Sequence, residues 1–412
     1  MRFLFVSAQL PGHLDWGGYL KTAIELQARG HEVLWASGKA VKPLLDRAQI
    51  NLHELSETGW RWPPPPPLSP DPSLEPQALH ELHAERALDQ WLDVSRVSAA
   101  TTELLDLLAT YRPDLVLGEN FMSAAAIAAD LVQIPFVVVG WPAFQAQTTD
   151  KTQTIAMLGR ERLTRLLTHF NASGLNWTQE GPPALLSPHL HLSYWSPSWF
   201  QNISLLKQTL HVGVKAPNPE SVVPSRASTA LLNAESIAEK PWVFITLGTS
   251  FGQDPNFFVA ATHAVARLDV VPIVAIAQPL SQEELTSLRA RLSPATILFN
   301  QIQFALILPM MSAAIHHGGA GTTHALVTHA VPQIVVPHAA DQIHQAHGVT
   351  RSGVGVGIRP QNVTIDALEQ MLVEMMAEDS PFQQNAKKVQ SEFATLGGIE
   401  RGANLLAKIV SG

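Results

Sequence analysis

Two stretches of this chain bring together residue types that could do chemistry. In Ile315-His316-His317-Gly318-Gly319-Ala320-Gly321-Thr322-Thr323 an apolar run meets glycines and then a helix-forming segment. Glycines let a backbone come close to a ligand, and a helix start offers unpaired N–H groups at the positive end of its dipole. With Thr322 adding a hydroxyl, this chemistry suits a diphosphate, although glycine-rich turns also serve as ordinary structural turns. The spacing matches neither the Gly-x-Gly-x-x-Gly dinucleotide fingerprint nor a phosphate loop ending in Gly-Lys-Ser/Thr. A further apolar run, Val331–Pro337, ends at His338-Ala339-Ala340-Asp341-Gln342. Asp341 and Gln342 offer acceptors and donors suited to sugar hydroxyls, at the strand end where an open α/β sheet gathers its ligands.

The other stretch lies near the start. Gln9-Leu10-Pro11-Gly12-His13 follows the first apolar run, so His13 falls at the carboxyl end of a strand. A loop histidine is commonly a plain surface residue, yet a neutral imidazole can take the proton of an attacking hydroxyl. The imidazolium that forms gains from a carboxylate on its other nitrogen. Glu119, at the end of Pro113-Asp114-Leu115-Val116-Leu117-Gly118-Glu119, reads as that carboxylate or as a solvated strand-end group, with Asp15 as the alternative. No metal is expected: Asp341, His344 and His347 drift around a helix, and His80-Glu81-Leu82-His83 lacks the His-Glu-x-x-His spacing.

These residues need strands and helices to hold them. Short apolar runs alternate with amphipathic stretches, as in parallel βαβ units. Strands are predicted at Arg2–Ser7, Glu32–Ala36, Asn51–Leu55, Leu115–Leu117 and Phe136–Val139, then at Trp242–Thr246, Val271–Ala277, Thr296–Phe299, Ala313–His317 and Gln333–Val336. Helices are predicted at Tyr19–Arg29, closed by Gly30, at Met122–Leu131, and after a capping box at Ser281–Glu284. Five prolines, Pro63–Pro67, predict a stiff surface loop, either a spacer or the rim of an acceptor pocket with Trp60 and Trp62. The segment 214–239, with Pro217, Pro219 and Pro224, reads as a linker between an N-terminal domain (1–213) and a C-terminal one (240–395).

Length and composition agree with two buried α/β domains. The chain has 412 residues, of which 46% are hydrophobic and 15% charged. A formal net charge of −8 argues against a nucleic-acid partner, and the absence of cysteine excludes disulfides and thiol nucleophiles and fits a cytoplasmic location. Met1–Val6 is read as a buried first strand, not a leader, and 121–141 is too interrupted to span a membrane.

His-His-Gly-Gly-Ala-Gly-Thr-Thr, then Val-Pro-Gln, then Pro and Asp-Gln, resembles the nucleotide-sugar signature of the UDP- and TDP-glycosyltransferases of GT-B fold. That family spans bacterial macrolide-type and other natural-product enzymes and the plant and animal UDP-glycosyltransferases. The resemblance implies two doubly wound parallel-sheet domains facing across a cleft, with the helix at 396–412 returning to the first. It implies that His317, Gly318, Gly319, Gly321 and Thr322 hold the donor diphosphate and that Asp341 and Gln342 hold the sugar. Thr249, in Thr246-Leu247-Gly248-Thr249-Ser250, would touch phosphate, and Gln301 and Ile302 would meet the nucleobase. His13 would be the general base, with Glu119 where the family has Asp.

The resemblance also implies the reaction: an inverting, metal-independent transfer from a UDP- or TDP-sugar, a co-substrate and no bound cofactor, to a small, hydrophobic acceptor. Trp60, Trp62, Trp91, Trp141, Phe144, Trp195 and Trp199 are candidates for the acceptor pocket or for core packing. A nucleotide-sugar epimerase of the same fold and a non-catalytic nucleotide-sugar-binding protein are the alternatives.

Overall fold

A computed structural model describes residues 1–15, 17–63, 74–145, 148–150, 152–233, 239–248, 254–277, 280–338 and 340–411, apart from the side chains of His13, Asp15, Ala340 and Asp341. The chain divides into two compact units, the first made of Met1–Tyr194, Ile203–Val212 and Gly397–Gly412, the second of Trp195–Asn202 and Gly213–Leu396.

The first unit carries strands β1 (Arg2–Val6), β2 (Glu32–Ser37), β3 (Asn51–Glu54), β4 (Leu115–Glu119), β5 (Phe136–Val139), β6 (Leu190–Ser193) and β7 (Thr209–His211). They form one sheet in the order β3-β2-β1-β4-β5-β6-β7. All of its pairings are parallel. The second unit has β8 (Trp242–Thr246), β9 (Val271–Ala275), β10 (Ile297–Phe299), β11 (Met311–His316), β12 (Gln333–Val335) and β13 (Gly355–Gly357). Its order is β10-β9-β8-β11-β12-β13, again wholly parallel. This is the pair of doubly wound sheets expected from the alternation of apolar runs.

A parallel sheet is covered on both faces, which is why its central strands are apolar throughout rather than alternating. β4 and β5 are buried at every position, as is β8. The alanine-rich helix Ser123–Leu131 is buried along all but its last turn, its small side chains letting it lie close on the sheet. In each sheet the order reverses once, between β1 and β4 and between β8 and β11. Where the connections part in opposite directions they leave a crevice beyond the carboxyl ends of those strands. His13 and Glu119 follow β1 and end β4, while Gly248 and His317 follow β8 and β11.

Several local expectations are met in detail. Gly30 takes φ 83 after the helix Tyr19–Ala28. Ser281 and Glu284 close a reciprocal capping box on the helix Gln282–Arg291. The segment 214–239 departs from the reading as an aperiodic linker. Ser225 accepts a hydrogen bond from the Ser228 N–H and starts a helix, Arg226–Leu232, that buries Leu231; 234–238 lie outside the described residues. Three prolines upstream mask that signal, since seven residues give little periodicity to read. Of the proline run only Pro63 is described.

Candidate active site

In the second unit the parallel register sets His316 beside Thr246, so the turns after β11 and β8 run side by side. His317 is 6% exposed and its imidazole lies between two glycines. A Cβ on Gly248 would sit 2.5 Å from the ring carbon Cε1, and one on Gly319 would fall nearer still to Nε2. Gly248 also has φ 65, in the region that favours glycine. Burial, with His338 a smaller cause, pushes the His317 imidazole down to about 4, against a bond to the Thr246 backbone that acts the other way. The ring is therefore neutral at pH 7.

His316 fixes the same turn from beneath. Its Nδ1 accepts the Gly318 N–H at 3.1 Å, which leaves the proton on Nε2 to be donated to Gln333 Oε1 at 2.9 Å. Gln333 in turn donates to the Thr323 carbonyl. Complete burial pushes His316 down to about 3, so this chain of bonds keeps one protonation state. Gly318, at φ 89, passes within 2.7 Å of Val335 Cγ1 at the place a Cβ would occupy. Next comes the helix Ala320–Thr328, with Gly319 at its N-cap and no side chain capping it. Gly321 and Thr322 are half-buried in its first turn. Tightly held glycines, a neutral imidazole and an uncapped helix start form a cradle for an anion.

After β12, His338 donates Nδ1–H to the Val336 carbonyl, and its own backbone N–H goes to Gln342 Oε1, each at 2.7 Å. Its Nε2 stands 3.6 Å from Asp254, whose other oxygen caps the helix Pro255–Ala266. Gln342 is buried, with its carbonyl oxygen engaged by this turn. Asp341 lies in the helix Ala340–Arg351, but its side chain, like the whole of Thr249, is outside the described residues. Gln301 is exposed and Ile302 half-buried in the turn after β10. They line a cavity of about 530 Å³ with Ser225, Ala227, Leu298 and Phe299. Gln303 closes one wall by accepting the Ser225 N–H at 2.6 Å and donating to the Val223 carbonyl at 2.9 Å.

In the first unit His13 belongs to the short helix Pro11–Asp15 that comes after β1. Neighbouring β4 pairs Gly118 with Val6, and Glu119 comes directly after. Glu119 is 7% exposed and its Oε1 accepts the Ala8 N–H at 2.6 Å, which fastens the carboxylate to the turn leading into the His13 helix. Tyr19 lies against the same strands, with its hydroxyl 2.9 Å from the Val6 carbonyl and 3.0 Å from that of Leu117. Burial, and then the charge of Glu119, hold this phenol well above its ordinary value.

The aromatic candidates separate into two kinds. Trp195 and Trp199 stack at 4.4 Å and are 0% and 1% exposed. They lie in the second unit, Trp195 edge-on to His324 and Phe393 and Trp199 against Gly348. They are packed in the core of that unit. Trp60, Trp91, Trp141 and Phe144 are half-buried and Trp62 is exposed. Phe121, not singled out from the sequence, joins Trp60 and Trp91 at ring distances of 5.7 and 5.3 Å. His316, Gln333, Gly248 and His338 were also missed in their supporting roles, because adjacency of separate strand ends shows only in three dimensions. Among the described residues no three His, Asp or Glu side chains converge as ligands of a metal ion would. No helix among them is long and apolar enough to cross a membrane.

Residues 261–397 match the family described as "Erythromycin biosynthesis protein CIII-like, C-terminal domain". Over 95% of this chain and 93% of its own length, TDP-daunosamine transferase DnrS of Streptomyces peucetius is 23% identical. The crystal structure of CalG4, the calicheamicin glycosyltransferase, superposes with a TM-score of 0.74 at 20% identity, covering 100% of this chain and 98% of that one. Spinosyn rhamnosyltransferase SpnG complexed with thymidine diphosphate gives 0.70 at 20% identity, over 99% and 100% of the two chains. The two parallel-sheet units are thus those of the GT-B fold.

Proposed function

We propose that this chain, a glycosyltransferase of the GT-B architecture, transfers a sugar from a TDP-sugar to a hydroxyl of a small, hydrophobic acceptor, with inversion and without a metal ion. The nucleotide is inferred from the relatives, one named for a TDP-sugar and one solved with thymidine diphosphate. What carries the reading is the imidazole of His317, held neutral between Gly248 and Gly319 at the start of an uncapped helix. A site of this kind stabilises the negative charge that builds on a departing diphosphate, the task a divalent ion performs elsewhere.

The reaction is a single displacement. As the acceptor oxygen bonds to the anomeric carbon, its proton passes to the imidazole of His13, and the bond to the diphosphate oxygen breaks, the electron pair leaving with the nucleotide. One displacement inverts the anomeric centre. Glu119, tied to the Ala8 N–H, supplies the negative charge that favours the imidazolium. Asp341 and Gln342 are assigned the sugar hydroxyls, Gly318, Gly321, Thr322 and Thr249 the diphosphate, and Gln301 and Ile302 the base.

Two substitutions test the division of labour. His13→Ala is expected to abolish transfer while TDP still raises the melting temperature as in the wild type, since a ligand of the folded state stabilises it. Gly319→Ala is expected to displace the His317 ring and remove the TDP-induced shift, with EDTA leaving wild-type transfer unchanged. Full activity in His13→Ala, or an undiminished TDP shift in Gly319→Ala, would overturn the reading.

A further inference from the structure

We propose that Phe121 is the platform on which the acceptor stacks, so that the acceptor of this chain is a flat hydroxyaromatic molecule. This rests on the transfer reading above and names its substrate class. Glu119 to Met122 form a turn closed by the Met122 N–H on the Glu119 carbonyl at 3.2 Å. Phe121 occupies the third position with φ 82. Turns of that hand take glycine or asparagine there, because a Cβ at positive φ is strained, and a bulky side chain is an outlier. A phenylalanine held in such a place, two residues after the carboxylate assigned to the base, has its strain offset by the surrounding structure.

That structure is aromatic. Trp177 is buried, and Trp91 lies nearly parallel to it at 6.1 Å with an interplanar angle of 19°. Phe121 then meets Trp91 at 5.3 Å and Trp60 at 5.7 Å, tilted to both. Ser123, next but one along the chain, donates its hydroxyl to the Trp91 carbonyl and fastens the two segments together. Rings therefore run from the core to the surface, and the outermost, Phe121, remains 38% exposed. An exposed ring braced on two tryptophans offers an unsaturated ligand offset stacking, which is worth more than the area it covers. A saturated ring of equal size gains the area alone.

Binding of alizarin, a planar dihydroxyanthraquinone, is measured by equilibrium dialysis without donor, beside a saturated decalin alcohol of similar bulk. Phe121→Gly is expected to weaken alizarin by about tenfold and to leave the decalin alcohol within about twofold. Because glycine accepts positive φ, relief of strain opposes the loss of ring packing, and the same variant should still fold with a single cooperative melt. Phe121→Trp should keep alizarin affinity within about threefold, and both variants should keep the full TDP-induced thermal shift. A residue that merely packs would, on replacement, weaken both ligands alike or neither. Unchanged alizarin binding in Phe121→Gly, or tighter binding of the decalin alcohol than of alizarin by the wild type, would overturn the proposal. Phe121-dependent alizarin binding with no sugar transferred would instead overturn the transfer reading and leave this one standing.

Discussion

His316 and His317 adjoin in sequence and are kept neutral for different ends. His316 uses both nitrogens within the fold, one accepting from Gly318 and one donating to Gln333, so it braces the turn. His317 presents an imidazole to the helix start, and burial keeps it uncharged. Both groups lie below the ordinary value of 6.5 when folded. Above pH 6.5 neither state holds the extra protons, and the stability of the folded chain is complete. As pH falls from there toward about 4, the unfolded chain takes up protons that the folded one refuses, and stability drains away. For His317 alone the loss by pH 4 is on the order of 3 kcal/mol. Melting temperature is therefore expected to fall steeply between pH 6.5 and 4, with a shallower slope in His317→Asn. An equal slope in that variant would show that His317 is not among the titrating groups. The sequence shows the histidine pair and the glycines plainly. It does not show that Gly248 is the second jaw, because that requires β8 and β11 to lie side by side.

At the scale of elements, the segment Trp195–Asn202 leaves the first sheet after β6 and packs within the second unit. Arg351 holds it by donating from its guanidinium to the Trp199 carbonyl at 3.3 Å, and Gly348, one turn earlier on the same helix, leaves room for the indole. A Cβ on Gly348 would fall on the Trp199 ring, so Gly348→Ala is expected to destabilise the chain by roughly 1–3 kcal/mol of overpacking, read as a lowered denaturation midpoint. An unchanged midpoint would mean that Trp199 swings aside freely. Strands such as Phe136–Val139 and Trp242–Thr246 were legible to the residue, because both-face burial writes unbroken apolar runs. β6, β7 and β13 were not. Leu190–Ser193 carries a buried histidine, Thr209–His211 has three residues, and Gly355–Gly357 has two glycines in three, so none bears the β-branched pattern that marks a strand. Composition likewise could not sort the tryptophans, since a core ring and a ligand-facing ring are the same residue type.

For the whole molecule, the closing helix Gly398–Ser411 belongs to the first unit, although the residues before it belong to the second. It buries Ala403 and Leu406, and Arg29 reaches across to Asn404 Oδ1 at 2.6 Å and to the Glu400 carbonyl. Deleting residues 397–412 is expected to cost at least about 3 kcal/mol of unfolding free energy, while the TDP-induced stabilisation, which the proposed function assigns to the second unit, survives. Loss of the TDP response together with the helix would place donor binding elsewhere. The excursion of Trp195–Asn202 bears on how such chains can be recombined. Because the backbone changes units at 194/195, 202/203, 212/213 and 396/397, no single splice separates the first unit from the second. A hybrid joined only near residue 213 would bring a foreign tryptophan plug to the recipient's second sheet and a foreign closing helix to its first. Swapping second units between relatives therefore calls for transplanting 195–202 along with 213–396, a cassette in two pieces.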